Sequence, residues 1–339
     1  MRFKGTALLA AALVGIISYY FLIDLPSEKR KNKEKDRAEK VILFDPENVK
    51  GISFTKGEVT ITLKGLGIDE WKMTAPVNAK GDALAVSEFL SFLSNLNFTR
   101  VVEESQKDLS LFGLDTPGLK IILSMNNGET KGVRVGDDHP MGNKVYLALL
   151  KGSQVLAAGV TKNRLDRSAH DLRDKTILDF KTPLIKKIEF VRNGKTLNLI
   201  KDKESWQVLE NRISAKGNET EITNLLNKIQ AAQIEQFVEE NSKQLTFYGL
   251  NNPKLTVKLT PLKYKEPLIL LVGNKNEHGF YAKTLLKKNV FTIGQSLFDS
   301  LNNREFVHFL NKSLVDFNDN DVIKMTLRMD NVTVDLIRN

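Results

Sequence analysis

One short stretch is written twice in this chain, and that repetition limits its folding more than any other feature. Leu111-Phe112-Gly113-Leu114-Asp115-Thr116-Pro117 returns as Phe247-Tyr248-Gly249-Leu250-Asn251-Asn252-Pro253, with glycine and proline each displaced by the same interval (249 − 113 = 136). The surroundings return with it. Phe44 to Phe54 aligns without a gap on Phe180 to Phe190, Trp71 on Trp206, Gly81 on Gly217, Val135-Gly136 on Val272-Gly273, and Tyr146 on Tyr281. A near-constant period over so many positions is the signature of an internal duplication. The chain of 339 residues is long enough for about two domains. It reads as a first repeat over 41–179, a second over 180–316, and the start of a third over 317–339.

Within a repeat the pattern is mixed. Val59, Ile61 and Leu63 alternate after Lys56-Gly57, which predicts a hairpin following a strand through Ile52 and Phe54. Trp71 and Met73 continue a third strand. Asp82 is placed to cap a helix from about Ala83 to Asn95, whose Val86, Phe89, Leu90 and Leu93 recur at helical spacing. Ile222, Leu225, Leu226 and Ile229 restate that helix. Asp108 to Leu114 predicts a helical turn stopped by Gly113 in a left-handed conformation. Strands follow at 119–123, 132–135, 145–149 and 154–157, and Ile177-Leu178-Asp179-Phe180 closes the unit. The fold class is therefore α+β: two tandem units, each a mainly antiparallel sheet packed with a helix. Val332, Val334 and Leu336 in the third start predict a terminal β-hairpin. A lone hairpin is marginal in water. It is expected to pair with the second unit's sheet as a cap, the alternative being a shortened version of a longer chain.

Ahead of the repeats, Gly5 to Ile23 is a run of 19 residues without a charge. As a helix it spans about 28 Å, close to the thickness of a bilayer's hydrocarbon. An uncleaved signal anchor and a removed signal peptide both fit. The length of the run, and the lack of a small-x-small site after it, favour an N-terminal transmembrane helix over 1–27. A charged linker, 28–40, follows. Residues 1–40 hold nine Lys/Arg against five Asp/Glu, so much of the net charge of +9 sits there. The basic residues after the run argue for a cytoplasmic C-terminal side, and Arg2 and Lys4 before it argue the reverse. The linker reads either as a solvated spacer or as a contact with lipid headgroups. No basic stripe interleaved with aromatics is present, so nucleic acid is not expected as a partner.

Chemistry is hard to find. Cysteine is absent, which removes disulfides, thiolate metal sites and cysteine nucleophiles. There is no Gly-x-Ser-x-Gly elbow and no phosphate-binding glycine loop. Asp137-Asp138-His139 and Glu277-His278 lie in equivalent loops and offer carboxylate with imidazole. Exposed hairpin tips are the plain reading of both, and no metal and no cofactor is expected. Glu103-Glu104 recurs as Glu239-Glu240, but neighbours on a strand point to opposite faces, which disfavours an acid–base pair. The repeated Trp71, Trp206, Gly113, Gly249, Pro117, Pro253, Tyr146 and Tyr281 are read as structural: tryptophans as core anchors, glycines at positive φ, prolines at the start of a strand, and tyrosines at a core edge.

The ordered set of a membrane segment, a Phe-Asp-Pro start, a Trp strand, a helix, a Tyr/Phe-Gly-Leu-x-x-Pro stretch, a Val-Gly hairpin and a Val-Tyr strand resembles the bacterial domain of unknown function 4340, twice over from residue 41 onward. Members of that family are often encoded beside components of ABC-type transporters of the gliding-motility-associated class, and many carry an N-terminal membrane segment. The resemblance implies a non-enzymatic accessory or scaffold subunit. It would be anchored by a single pass in the inner membrane, with the bulk of the chain periplasmic. Its implied partners are the transmembrane subunits of an ABC-type transporter or a related membrane complex, and membrane lipid around the N-terminal helix. It supplies no catalytic residues. The alternative is an extracytoplasmic binding module for an envelope lipid or polysaccharide. A third reading is a hydrolase of unrecognised type.

Overall fold

The computed structural model describes residues 36–338 apart from 117, 141, 204, 264–265, 314–320 and 331, together with Leu13, Tyr19, Tyr20 and Leu22. Most of the charge-free run Gly5–Ile23, most of the charged linker, Pro117 and the first residues of the third start lie outside the described residues. Among the described residues no helix is long and apolar enough to cross a membrane.

The chain divides between Asp174 and Lys175 into two compact units. The first contains β1 (Val49–Lys56), β2 (Val59–Gly67), β3 (Glu70–Ala75), β4 (Ala79–Lys80), α1 (Ala83–Ser94), β5 (Phe98–Glu103), β6 (Leu119–Met125), β7 (Thr130–Asp138), β8 (Val145–Leu149) and β9 (Val155–Ala158). Its strands form one nine-stranded sheet in the order β4-β3-β2-β1-β6-β7-β8-β9-β5, with antiparallel neighbours. α1 carries the chain from β4 at one edge of that sheet to β5 at the other. Eight spacings of ~4.8 Å make a flat sheet ~38 Å wide. A helix of 12 residues gives ~18 Å. The few connecting residues add at most roughly 16 Å. The sheet must therefore curl towards the helix, and one core collects residues from both.

α1 starts where its chemistry says it should. The Asp82 carboxylate accepts from the Ala85 amide at 3.0 Å, satisfying one of the first-turn donors. Val86, Phe89, Leu90 and Leu93 point into the core and are buried. Each such side chain contributes about 1.5–3 kcal/mol when fully buried. Phe89→Ala would cost about 3–5 kcal/mol, because Phe54 packs edge-on against it at 5.0 Å.

The second unit repeats this plan. Its strands are β10 (Ile185–Arg192), β11 (Lys195–Asp202), β12 (Ser205–Glu210), β13 (Ile213–Lys216), β14 (Gln236–Glu239), β15 (Leu255–Pro261), β16 (Leu268–Asn276), β17 (Gly279–Thr284) and β18 (Val290–Ile293). Their order is β13-β12-β11-β10-β15-β16-β17-β18-β14, the first order with each strand replaced by its counterpart. α2 (Glu219–Ala231) is capped by Asn218, which accepts from Glu221 at 3.2 Å. The short α3 (Gln295–Asn302) buries Leu297, Phe298 and Leu301 on one face.

Three sequence expectations are corrected. Ile177 and Leu178 do not close the first unit. They are buried in the second core, in the place that Val41 and Ile42 hold in the first. The motif is an opening element, so the structural boundary precedes the one read from the period. The terminal hairpin, β19 (Lys324–Met329) and β20 (Val332–Ile337), does not extend the second sheet. It is a separate two-stranded sheet. And His139 is not at an exposed tip, as described below.

Candidate functional site

The twice-written stretch forms the same knuckle in both units. In the first, Asp108 accepts from the Ser110 amide at 3.0 Å and starts a 3₁₀ turn, Leu109–Phe112. Gly113 ends it at φ 65°, and the next two amides close back, Gly113 to the Ser110 carbonyl and Leu114 to that of Leu109, both at 3.0 Å. In the second, Gly249 has φ 68°, and the amides of Gly249 and Leu250 reach the Thr246 and Leu245 carbonyls at the same distance. Leu114 and Leu250 are thereby driven into the protein and buried.

The knuckle rests on a bulge. The β7–β8 register shifts between Val135 and Asp138, and the β16–β17 register shifts between Val272 and Lys275. A bulge re-aims the strand locally. Here it brings Gly136 and Gly273 under the knuckle, so closely that a Cβ on Gly136 would stand 2.1 Å from the Phe112 carbonyl oxygen, and one on Gly273 2.0 Å from that of Tyr248. The reverse contact is as tight, because a Cβ on Gly113 would meet the Asp137 carboxylate at 2.6 Å and one on Gly249 the Asn274 amide at the same distance. Two glycines per unit, far apart in sequence, are thus required by one another's neighbours. The Asn274 backbone N–H donates to the Tyr248 carbonyl at 2.8 Å.

Aromatic rings fasten the knuckle from the side. Phe112 packs edge-on against Tyr146 with centroids 4.9 Å apart, and Tyr248 packs against Tyr281 at the same distance. Tyr146 and Ala148 alternate with Val145 and Leu147 along β8, so these rings occupy the sheet face opposite α1, over a small cluster of Leu114, Ala148 and Val155 of β9. Tyr248 donates to the Glu239 carboxylate at 2.8 Å, which pushes the phenol above its ordinary value. The first unit has Phe112 at that position and lacks the link.

The other candidates fall as follows. Trp206 is buried in the second core, whereas Trp71 is half-buried at the edge of the first, lining an open hollow of about 380 Å³ with Pro46, Ile68 and Leu90. Pro253 is partly buried just ahead of β15. His139 is buried against the Tyr146 ring at 5.2 Å, because the bulge tucks the loop inward; His278 is exposed. Among the described residues no group of three or more His, Asp or Glu is placed to hold a metal ion. Glu104 accepts from Gln154 at 2.8 Å, and Glu239 is engaged by Tyr248, so the repeated glutamates tie strands to neighbouring loops. In the second unit Arg192 donates to the carbonyls of Asn302 and Arg304 beside a hollow of about 690 Å³. Sequence reasoning missed the landing side of the knuckle. Its signal is a glycine at the same strand position in both units, in Val135-Gly136 and Val272-Gly273.

A family model described as a domain of unknown function (DUF4340) matches residues 71–243 and again 206–339. The matches begin on Trp71 and Trp206, the equivalent positions of the two units. No curated protein and no solved structure matches.

Proposed function

Because the chain belongs to the family of the domain of unknown function DUF4340, we propose that it is a non-enzymatic accessory or scaffold subunit of a membrane complex, of the ABC-transporter type. The observation that supports this most is the use made of the repeated residues. The glycines and tyrosines common to both units hold a knuckle onto a bulge, and the charged groups nearby tie strands to loops. The duplication has kept a framework. On this reading the charge-free run Gly5–Ile23 anchors the chain in the inner membrane and the two units are extracytoplasmic. Exposed faces of the repeated helices and sheet edges supply the contact surface.

The test is capture of the full chain from membranes solubilised in mild detergent, with partners identified by mass spectrometry. Transmembrane subunits of an ABC-type transporter are expected. They should be lost when residues 1–40 are replaced by a cleavable signal. A chain recovered without protein partners but with bound lipid or glycan refutes the reading.

A further inference from the structure

One end of the second sheet carries exposed leucines. β10 starts at this end, β15 finishes beside it and β16 returns from it, since Ile185 lies opposite Pro261 and Leu259 opposite Leu268. β17 finishes there too, with Thr284 opposite Leu270, and β18 starts from it. Along this rim Leu184 is 41% exposed, Leu262 54%, Leu285 64% and Leu286 77%. The Leu262 amide donates to the Leu184 carbonyl at 2.8 Å, so those two residues are neighbours. β17, which leads into Leu285 and Leu286, lies two strands beyond β15, about 10 Å along the rim.

The loop bearing Leu285 and Leu286 is held in shape by its own polar groups. The Lys283 ammonium donates to the carbonyls of Lys287 and Lys288 at 2.8 and 2.7 Å, and the Thr284 hydroxyl accepts from the Lys287 amide at 3.2 Å. The Lys287 side chain donates to the Thr176 carbonyl. The polar groups close the loop from within, and the two leucines stay outside it. The shared framework does not ask for this. At the Tyr146–Tyr281 offset, Leu286 answers to Lys151, and Leu285 to Leu150, which is half-buried. Between β6 and β7 the first unit has Asn126-Asn127-Gly128-Glu129 where the second has the segment with Leu262.

Charge and composition select the partner. Residues 262–267 and 285–289 hold Lys263, Lys265, Lys287 and Lys288 against Glu266. Lys263 and Lys288 are exposed. Glu239 and Glu240 lie at the same end by the outer strand β14, and Glu239 is engaged by Tyr248. Protein–protein interfaces are depleted of lysine at their centres, and their strongest contacts come from aromatic residues and arginine, with leucine under-represented. Leucines flanked by lysines suit a bilayer surface instead. The apolar tips enter the boundary with the acyl chains, and the ammonium groups on their flexible stems stay at the depth of the headgroups.

We propose that this end of the second unit is a membrane-contact surface. It seats Leu262, Leu285 and Leu286 in the interface of a bilayer with anionic headgroups, and Lys263 and Lys288 lie beside the phosphates. The inference goes beyond the accessory-subunit reading and does not depend on Gly5–Ile23 acting as an anchor.

The chain has no cysteine, so Leu286→Cys gives the full-length protein a single site for an environment-sensitive fluorophore. The position is exposed, and the label displaces no core contact. The probe is a set of vesicles of phosphatidylcholine, with or without phosphatidylglycerol, whose acyl chains carry a bromine quencher. With phosphatidylglycerol, blue-shifted emission and quenching are expected. A label on Glu277→Cys, in the turn at the opposite end of β16 and β17, should show neither. Lys263→Gln and Lys288→Gln should each lower the ratio of quenched to unquenched label roughly fivefold. Co-sedimentation reports the N-terminal run separately. A chain that sediments with its loop unquenched overturns the proposal and leaves the anchor standing. A chain that neither sediments nor is quenched overturns the proposal as well. So does equal quenching without phosphatidylglycerol, or a blue shift without quenching that grows with protein concentration; in the last case protein, not lipid, covers the leucines.

Discussion

Replacing Gly273 by alanine isolates the knuckle-on-bulge contact. Gly273 does not sit at positive φ, so alanine brings no backbone penalty, and the whole effect is steric. The new methyl would stand 2.0 Å from the Tyr248 carbonyl oxygen, where ordinary contact begins above 3.4 Å. The obstacle is backbone, so the knuckle must lift by more than an ångström. Three interactions then weaken. The hydrogen bond from Asn274 to that carbonyl contributes about 1 kcal/mol. Burial of Leu250 contributes about 1.5–3 kcal/mol. The Tyr248–Tyr281 ring pair contributes about 0.5–1.5 kcal/mol. Complete loss of all three would cost about 3–5.5 kcal/mol, and partial retention brings the expected loss to about 2–4 kcal/mol for the second unit. Denaturant unfolding of the full chain, followed by Trp206 and Trp71 fluorescence, should show one transition moving to lower denaturant and the other unmoved. Gly67→Ala is the control. Nothing lies within 4 Å of its Cβ, and the change should stay within about 0.5 kcal/mol. A Gly273→Ala protein within 1 kcal/mol of wild type, with undiminished amide protection at Asn274, would refute the reasoning.

Further outcomes follow from the same geometry. Gly113→Ala should destabilise the first unit by at least the roughly 1–2 kcal/mol of its left-handed backbone, because the new Cβ would also stand 2.6 Å from the Asp137 carboxylate; unfolding midpoints decide. Asn218→Ala should cost about 1 kcal/mol by removing the cap of α2, with Asn218→Asp nearly neutral. The side chain and amide of Ser110 hold the Asp108 carboxyl below its ordinary value of 3.8. A group depressed on folding stabilises above its unfolded value and loses that effect as pH falls through the folded one. The first unit should therefore lose stability below about pH 4. Asp108→Asn should flatten that part of an acid titration monitored by fluorescence.

The helix α1 was legible because its causes are local. An aspartate cap and four apolar residues at helical spacing act over a few residues, and Ala83–Ser94 came out within one residue of expectation. The turn ending at Gly113 was legible for the same reason, since a stop by left-handed glycine is written into the turn itself. The role of Gly136 was not. Its need for glycine comes from a carbonyl 24 residues earlier in the chain (136 − 112), which reaches it only after β6 and β7 have paired and bulged. Trp71 and Trp206 read alike, yet one is buried and the other half-exposed, a difference set by the neighbours each fold supplies.

By itself, the sequence determined that this protein is two copies of one unit and where the helix, the turn and most strands of each lie. Alternation, capping and turn chemistry are properties of neighbouring residues, and a period of 136 needs no coordinates to see. Only the tertiary structure decided the strand order, with β1 beside β6 and α1 linking opposite edges, and only it separated the buried hairpins from the bare one. Ile52, Ile188 and Met325 carry the same local pattern. What distinguishes them is whether a strand and a helix from elsewhere come to cover them, and burial depends on that arrival.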